Sequence, residues 1–312
     1  MNTEYSTAIA VLKNSLWNEL SNTTLNQAVE NFLKNLSPNT QRTYKTAFKY
    51  IFRLLEEKNL LSINSSLQVF AICNMENLLD CILNHCQGSI GTKKGRCAAF
   101  VSLTKHLDRL TGGMIRTVRP IKGVHFRATR SKAYTKAMTH EEWNRFIVEL
   151  RKISIRDYLI AKAMFQGAKR VSEVLTAKID QIDWQNGRIS YKQAKTKIHF
   201  HQTVISYSSD FMDELKMYLF GRKDGLIFLT NQGHIVSQSH TYRSFNKASE
   251  KAGLSTKVHP HVLRTTAITL LMKMGYHSDD VMKISGHANP KDVLYYDKRA
   301  EEENLTTRVK LC

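Results

Sequence analysis

One segment divides this chain. Residues 113–140 carry seven basic side chains, Arg116, Arg119, Lys122, Arg127, Arg130, Lys132 and Lys136, and no acidic one. Gly112-Gly113, Pro120 and Gly123 punctuate the same stretch, and such residues interrupt helices and strands. A run of like charges broken in this way cannot fill a core. The 312 residues must therefore organise as two bodies joined by a basic linker. Seven unopposed cations attract phosphates, so the linker is expected to lie against a nucleic-acid backbone.

The whole chain leans the same way. Lys and Arg number 46 against 27 Asp and Glu, a net charge of +19. Residues 1–112 hold 12 basic and 8 acidic side chains, and residues 141–312 hold 27 and 19. The linker is therefore far more basic than its length warrants, and a polyanion is the expected partner. With 14 Gly and 4 Pro in all, collagen-like and low-complexity classes are excluded. No stretch approaches the roughly 18 apolar residues of a membrane span, and the first residues, Met1-Asn-Thr-Glu-Tyr5, lack a signal-peptide pattern. The five cysteines are odd in number and form no Cys-x-x-Cys pair, which argues against a disulfide framework or a structural zinc site. A reduced, cytoplasmic protein is expected.

Periodicity before the linker is helical. Ser37-Pro38 is a helix start, with proline at the first helical position. Tyr44, Phe48, Ile51, Phe52 and Leu55 share one face of the helix that follows, while Arg42, Lys45, Lys49 and Arg53 form a narrow stripe on the other. That stripe is either a solvated face or a DNA contact. Further helices are expected near 25–36, 74–87 and 96–111. After the linker, Thr139-His-Glu-Glu142 has the form of a capping box. Helices are expected from there and near 154–166, 171–178, 209–220, 240–252, 261–274 and 278–286. Between them, 187–191 and 200–205 look like short strands joined by a lysine-rich turn. The fold class is mainly α with a small antiparallel sheet. The expected domains are 1–115, a linker at 116–138, a second domain at 139–300 and a charged helical tail at 301–312.

Four segments of the second domain concentrate chemistry: Gln166-Gly-Ala-Lys-Arg170-Val-Ser-Glu173, Gln193-Ala-Lys195-Thr-Lys197, His259-Pro-His261-Val-Leu-Arg264 and Ser285-Gly-His287, followed by Tyr295-Tyr296. Each alone is weak. Arg-x-x-Glu commonly marks a helical salt bridge, and His-x-x-Arg arises by chance. Together and in this order they resemble the tyrosine recombinase (phage integrase-type) family. That family shows Gly-x-x-Arg-x-x-Glu, a β-turn lysine, His-x-x-Arg, Gly-His and a tyrosine nine residues later. The resemblance spans about 166–296. Two stretches, Asp157-Tyr-Leu-Ile-Ala and Arg96-Cys-Ala-Ala-Phe-Val-Ser-Leu-Thr-Lys105, also resemble integrases carried on chlamydial plasmids.

The resemblance implies a helical SAM-like core-binding domain and a tyrosine-recombinase catalytic domain. The implied reaction breaks and rejoins duplex DNA through a 3′-phosphotyrosyl link, which conserves the phosphodiester energy without ATP. A transition state at phosphorus gathers negative charge, and arginine forks meet it bidentately. By resemblance, Arg170 and Arg264 clamp the phosphate, Lys195 protonates the departing 5′ oxygen (Lys192 and Lys197 stand close by in the sequence), His261 bonds the phosphate or assists proton transfer, His287 bonds a non-bridging oxygen, Glu173 orients its neighbours, and Tyr296 attacks. Tyr295 is then a packing residue. Ser285 and Thr265 depart from the family pattern (Leu and His, respectively) without removing a needed charge. No metal or nucleotide cofactor is implied. The implied partners are double-stranded DNA and three further copies of the chain in a tetramer on two sites, in the cytoplasm on a nucleoid or plasmid. DNA contacts are expected from Arg42, Lys45, Lys49, Arg53, Arg116, Arg119, Lys122, Arg127 and Arg130.

Two other readings compete: a non-catalytic plasmid DNA-binding regulator with the same fold, and a topoisomerase that uses the same chemistry to relax supercoils. The pairs His199/His201 and His259/His261 also invite a metal hydrolase, but no His-Glu-x-x-His motif or carboxylate cluster accompanies them.

Overall fold

The computed structural model describes residues 2–120, 136–192, 202–287, 289 and 293–294, with the backbone alone at 2–10 and 12. The chain forms two compact units, Met1–Lys132 and Ala133–Cys312.

The described helices of the first unit are α1 (Asn2–Asn22), α2 (Leu25–Lys34), α3 (Pro38–Glu57), α4 (Leu67–Ile72), α5 (Met75–His85) and α6 (Ile90–Leu110). Thr24 and Gln27 cap α2 reciprocally: the Gln27 amide donates to Thr24 Oγ1 at 3.2 Å, and the Thr24 amide to Gln27 Oε1 at 2.9 Å. Pro38 opens α3 as expected, but the Ser37 hydroxyl meets Thr40 Oγ1 at 2.9 Å rather than a backbone amide. The apolar face of α3 buries Phe48, Ile51, Phe52 and Leu55 against Phe100, Leu103 and Leu107 of α6. Ile115 and Val118 join this core, which thus reaches three residues into the segment read as linker.

Three features of this unit were not anticipated. The helix expected at 96–111 begins at Ile90, because Ser89 Oγ accepts the Thr92 amide at 3.2 Å and caps an earlier turn. Gly91 and Gly95 had obscured that turn. Helix α4 is too short to show a period, and α1 has no sharp apolar stripe.

The second unit contains α7 (His140–Ile153), α8 (Ile155–Gln166), α9 (Val171–Leu175), β1 (Ile182–Asp183), β2 (Arg188–Lys192), β3 (Gln202–Ser206), α10 (Ser209–Leu219), α11 (Gln238–Lys251), α12 (Pro260–Lys273) and α13 (Ser278–Ser285). The Thr139 capping box forms, with the Glu142 amide donating to Thr139 Oγ1 at 3.1 Å and Glu142 Oε2 accepting the Thr139 amide at 2.8 Å. Helix α8 is the central rod. Its Leu159, Ile160, Ala163 and Met164 are buried among Phe146 of α7, Phe211 and Leu215 of α10, Phe245 of α11 and Val262 and Leu263 of α12.

The sheet is antiparallel in the order β1-β2-β3, with Ile189 opposite Ile205 and Tyr191 opposite Thr203. Alternation along β3 puts Thr203 and Ile205 inward. The two expected strands are β2 and β3. The two-residue β1 is too short to leave a period in the sequence. The expected helix 171–178 stops at Leu175, and a short 3-10 turn, Ile179–Gln181, follows after three residues. The tail at 301–312 lies outside the described residues.

Candidate active site

The site grows from the end of α8. Gly167 follows the helix where no side chain fits: a Cβ there would lie 2.8 Å from the Tyr207 hydroxyl oxygen and 3.1 Å from the Ala163 carbonyl oxygen. The next residue, Ala168, takes the left-handed conformation at φ 47°, and the Lys169 amide closes back on the Met164 carbonyl at 3.0 Å. This reversal has two effects. It points the Ala168 carbonyl at α12, and it sets Arg170 at the start of α9.

Arg170 is bound to its own helix. Its amide donates to Glu173 Oε2 at 3.0 Å, and its Nη1 donates to Glu173 Oε1 at 2.9 Å. The Glu173 side chain is 1% exposed, so this carboxylate is a buried counter-charge rather than a surface partner. Nη1 also donates to the Gly286 carbonyl at 3.3 Å, which ties Arg170 to the end of α13. Both side-chain bonds use one nitrogen, so they fix the plane of the guanidinium and leave its other edge for a ligand.

Arg264, on the second turn of α12, is 4% exposed. Its Nη1 donates to the Ala168 carbonyl at 2.7 Å, and its Nη2 lies 3.1 Å from His287 Nε2. The same Nη2 lies 3.4 Å from His287 Nδ1, so the guanidinium faces the side of the ring between its two nitrogens. The Ser285 hydroxyl oxygen sits 2.7 Å from Nδ1, within hydrogen-bond distance. Gly286, left-handed at φ 69°, makes the turn that puts His287 here. Burial, then the charges of Arg264 and Arg170, lower the His287 pKa to about 3, so its imidazole is neutral at physiological pH. His261 is also held neutral, by burial first and then by His259 and Arg264. The rings of Tyr242, His259 and His261 run nearly parallel, with centroids 5.7 and 6.4 Å apart.

The fold thus brings Arg170, Glu173, Arg264 and His287 together, with His261 beside them. Lys195, Tyr295 and Tyr296 lie outside the described residues. In the first unit, Arg42, Lys45, Lys49 and Arg53 are exposed along α3, with Lys45–Glu30 and Arg53–Glu57 each 3.5 Å apart. Arg116 and Arg119 are exposed beside the buried Ile115 and Val118, while Lys122, Arg127 and Arg130 lie outside the described residues. Among the described residues no three His, Cys, Asp or Glu side chains are placed to hold a metal, and no helix is long and apolar enough to cross a membrane.

A model of the phage integrase family matches residues 136–303, the stretch that holds this cluster. The chain belongs to that family. Membership extends beyond the catalytic motifs: the virulence plasmid integrase pGP8-D of Chlamydia muridarum is 35% identical over 98% of this chain and 94% of the relative. Two solved structures share the fold. XerH site-specific recombinase bound to a palindromic difH substrate aligns with TM-score 0.67 and 21% identity, over 86% of this chain and 80% of that one. The Tn1549 transposon integrase in complex with transposon right end DNA aligns with TM-score 0.66 and 16% identity, over 91% and 100%.

Of the two departures from the integrase pattern, Ser285 has a structural account. Ser285 is fully buried and is the bonding partner of His287, a role that reading it as a neutral replacement had missed. Thr265 is also buried, and its hydroxyl has no hydrogen-bond partner among the described residues. The sequence also passed over Ala168, whose carbonyl, not its side chain, does the work, and Lys169, which sits inside the Gly-x-x-Arg motif.

Proposed function

We propose that this integrase is a site-specific recombinase that cleaves and rejoins duplex DNA through a 3′-phosphotyrosyl link at Tyr296. The observation that carries the reading is the pair Arg170 and Arg264. They come from separate helices, and the carbonyls of Ala168 and Gly286, with Glu173, aim them into one cluster. Cations fixed before substrate arrives cost no reorganisation when charge develops at phosphorus, which is where electrostatic catalysis gains most.

In this reading the two guanidiniums receive the non-bridging oxygens of the scissile phosphate. His287 exchanges its contact with Arg264 for a phosphate oxygen. The Ser285 hydroxyl, which can donate as well as accept, supports the tautomer of His287 that carries its proton on Nε2 and donates it to that oxygen. His261, neutral beside Arg264, bonds the phosphate or relays a proton. Tyr296 passes its phenolic proton to His261 as it attacks phosphorus, the bond to the 5′ oxygen breaks, and Lys195 gives that oxygen its proton. Attack by the freed hydroxyl of another strand reverses the sequence and releases the tyrosine. The chain's own residues suffice for these steps, without a metal or nucleotide.

Duplex DNA is the partner, held largely through phosphates by the α3 stripe and the linker cations. The working form is a tetramer on two sites, in the cytoplasm on a plasmid. A relative named as a virulence plasmid integrase, and a recombinase of the same fold solved bound to its DNA substrate, support the choice of DNA as the partner.

The test is covalent trapping. The chain is mixed with nicked fragments of the replicon that encodes it, denatured and run on a gel beside Tyr296→Phe and Tyr295→Phe. An adduct lost only in Tyr296→Phe is expected. Loss only in Tyr295→Phe moves the nucleophile by one residue. Tight, salt-sensitive binding with no adduct points to the non-catalytic DNA-binding reading.

A further inference from the structure

Lys169 is the anomaly of the second unit. It lies between Ala168 and Arg170, and its side chain is completely buried. An ammonium out of water is costly, and a methionine or leucine would fill the same space without that cost. Its Nζ donates to the hydroxyl of Thr203, itself buried on β3, and lies 5.7 Å from the centroid of the Tyr191 ring on β2. Below it, the hydroxyls of Tyr191 and Tyr207 meet at 2.6 Å, and Tyr207 donates to the Ala163 carbonyl of α8 at 3.1 Å.

This single side chain therefore spans two elements. One is the reversal after α8, which carries Arg170 and the carbonyl that holds Arg264. The other is the β2–β3 hairpin, whose connecting segment contains Lys195. We propose that Lys169 is a positioning residue: its ammonium, bonded to Thr203, pins the hairpin to the arginine-bearing turn, and loss of its proton loosens that tie and slows strand cleavage. The inference rests on the recombinase reading above and adds a residue to it.

The groups that set its charge are all near. Glu173 on α9 favours the ammonium, while Arg170 at the turn and Arg264 on α12 oppose it. Tyr191 on β2 offers its ring face, Tyr207 after β3 is a neutral phenol, and His287 after α13 is uncharged. Burial, the largest effect, brings the Lys169 pKa down to about 7. Its charge thus changes in the neutral range rather than near the usual lysine value.

The experiment compares wild type, Lys169→Met, Lys169→Arg and Thr203→Val on the same nicked fragments. It measures the single-turnover rate of adduct formation from pH 6 to 9, DNA affinity and thermal midpoint. Lys169→Met should cleave at least about tenfold more slowly than wild type at pH 6, from misplacement alone. The deficit should narrow towards pH 9 as wild type loses the same charge. DNA affinity should be unchanged. Thr203→Val should reproduce the deficit, and a further protein carrying both Lys169→Met and Thr203→Val should be no slower than Lys169→Met alone. Lys169→Arg, always charged, should show a flatter pH dependence than wild type. Stability should move the other way. Because the folded pKa is depressed, wild type gains stability between about pH 7 and 10, and Lys169→Met lacks that gain.

A Lys169→Met protein that folds and matches wild-type cleavage at every pH overturns the inference and leaves the recombinase reading standing. If Lys169→Met does not fold, a Thr203→Val protein with wild-type rates overturns it equally. Wild type that forms no adduct at all ends both.

Discussion

The same two residue types, arginine and lysine, are used in opposite ways in the two units. Along α3 of the first unit, Arg42, Lys45, Lys49 and Arg53 stand in solvent, and the Lys45 and Arg53 side chains are each 67% exposed beside a loose carboxylate partner. In the second unit Arg264 is 4% exposed and Lys169 is fully buried, with Glu173 as the buried counter-charge. Exposed cations act through long-range attraction, are screened by salt and substitute for one another. Buried cations act through fixed direction, and a change at one disturbs the rest. The first arrangement suits holding a polyanion anywhere along its length. The second suits stabilising one phosphate at one moment.

Four substitutions sharpen this contrast. Arg264→Lys keeps the charge but cannot both hold the Ala168 carbonyl and face His287. It should lower the rate of adduct formation by about 10²–10³-fold with little change in DNA affinity, as single-turnover assays and binding titrations will show. A loss of less than threefold would mean that charge alone matters there, as on α3.

Glu173→Ala removes the counter-charge of Arg170 and Lys169. Denaturant unfolding should show about 3 kcal/mol of lost stability, the scale for stranding a buried charge.

On α3, Lys49→Ala should change folding stability by less than about 0.5 kcal/mol. It should weaken binding to any DNA sequence alike and reduce the steepness of the salt dependence by about one ion, read from log Kd against log salt. An unchanged slope would identify the stripe as a solvated face.

The smallest effect concerns backbone. Ala168→Gly relieves an alanine held at φ 47° but removes a buried methyl, so stability should change by less than about 1 kcal/mol with adduct formation intact.

Much of this contrast can be read in the residues alone. The α3 stripe follows from spacing, and the capping box at Thr139 from four residues. The arginines, histidines and Glu173 stand out because their chemistry is in their side chains and their spacing matches a known pattern. What hid from the sequence acts through other means. Ala168 contributes a carbonyl, which every residue has. Ser285 matters because Gly286 folds His287 back towards it. Lys169 reads as one more cation in a basic chain until the sheet closes over it, and its partner Thr203 is 34 residues away. Strand β1 and helix α4 were missed for a simpler reason, since neither is long enough to express a period.

The central claim is that the preorganised arginines serve a tyrosine that becomes covalently linked to DNA. It is tested most directly by digesting the trapped protein–DNA adduct and sequencing the nucleotide-bearing peptide by mass spectrometry. The account predicts a single modified residue, Tyr296, carrying a 3′-linked nucleotide, with the yield collapsing in Arg264→Lys. A modification on any other residue, or a yield indifferent to Arg264, would contradict it.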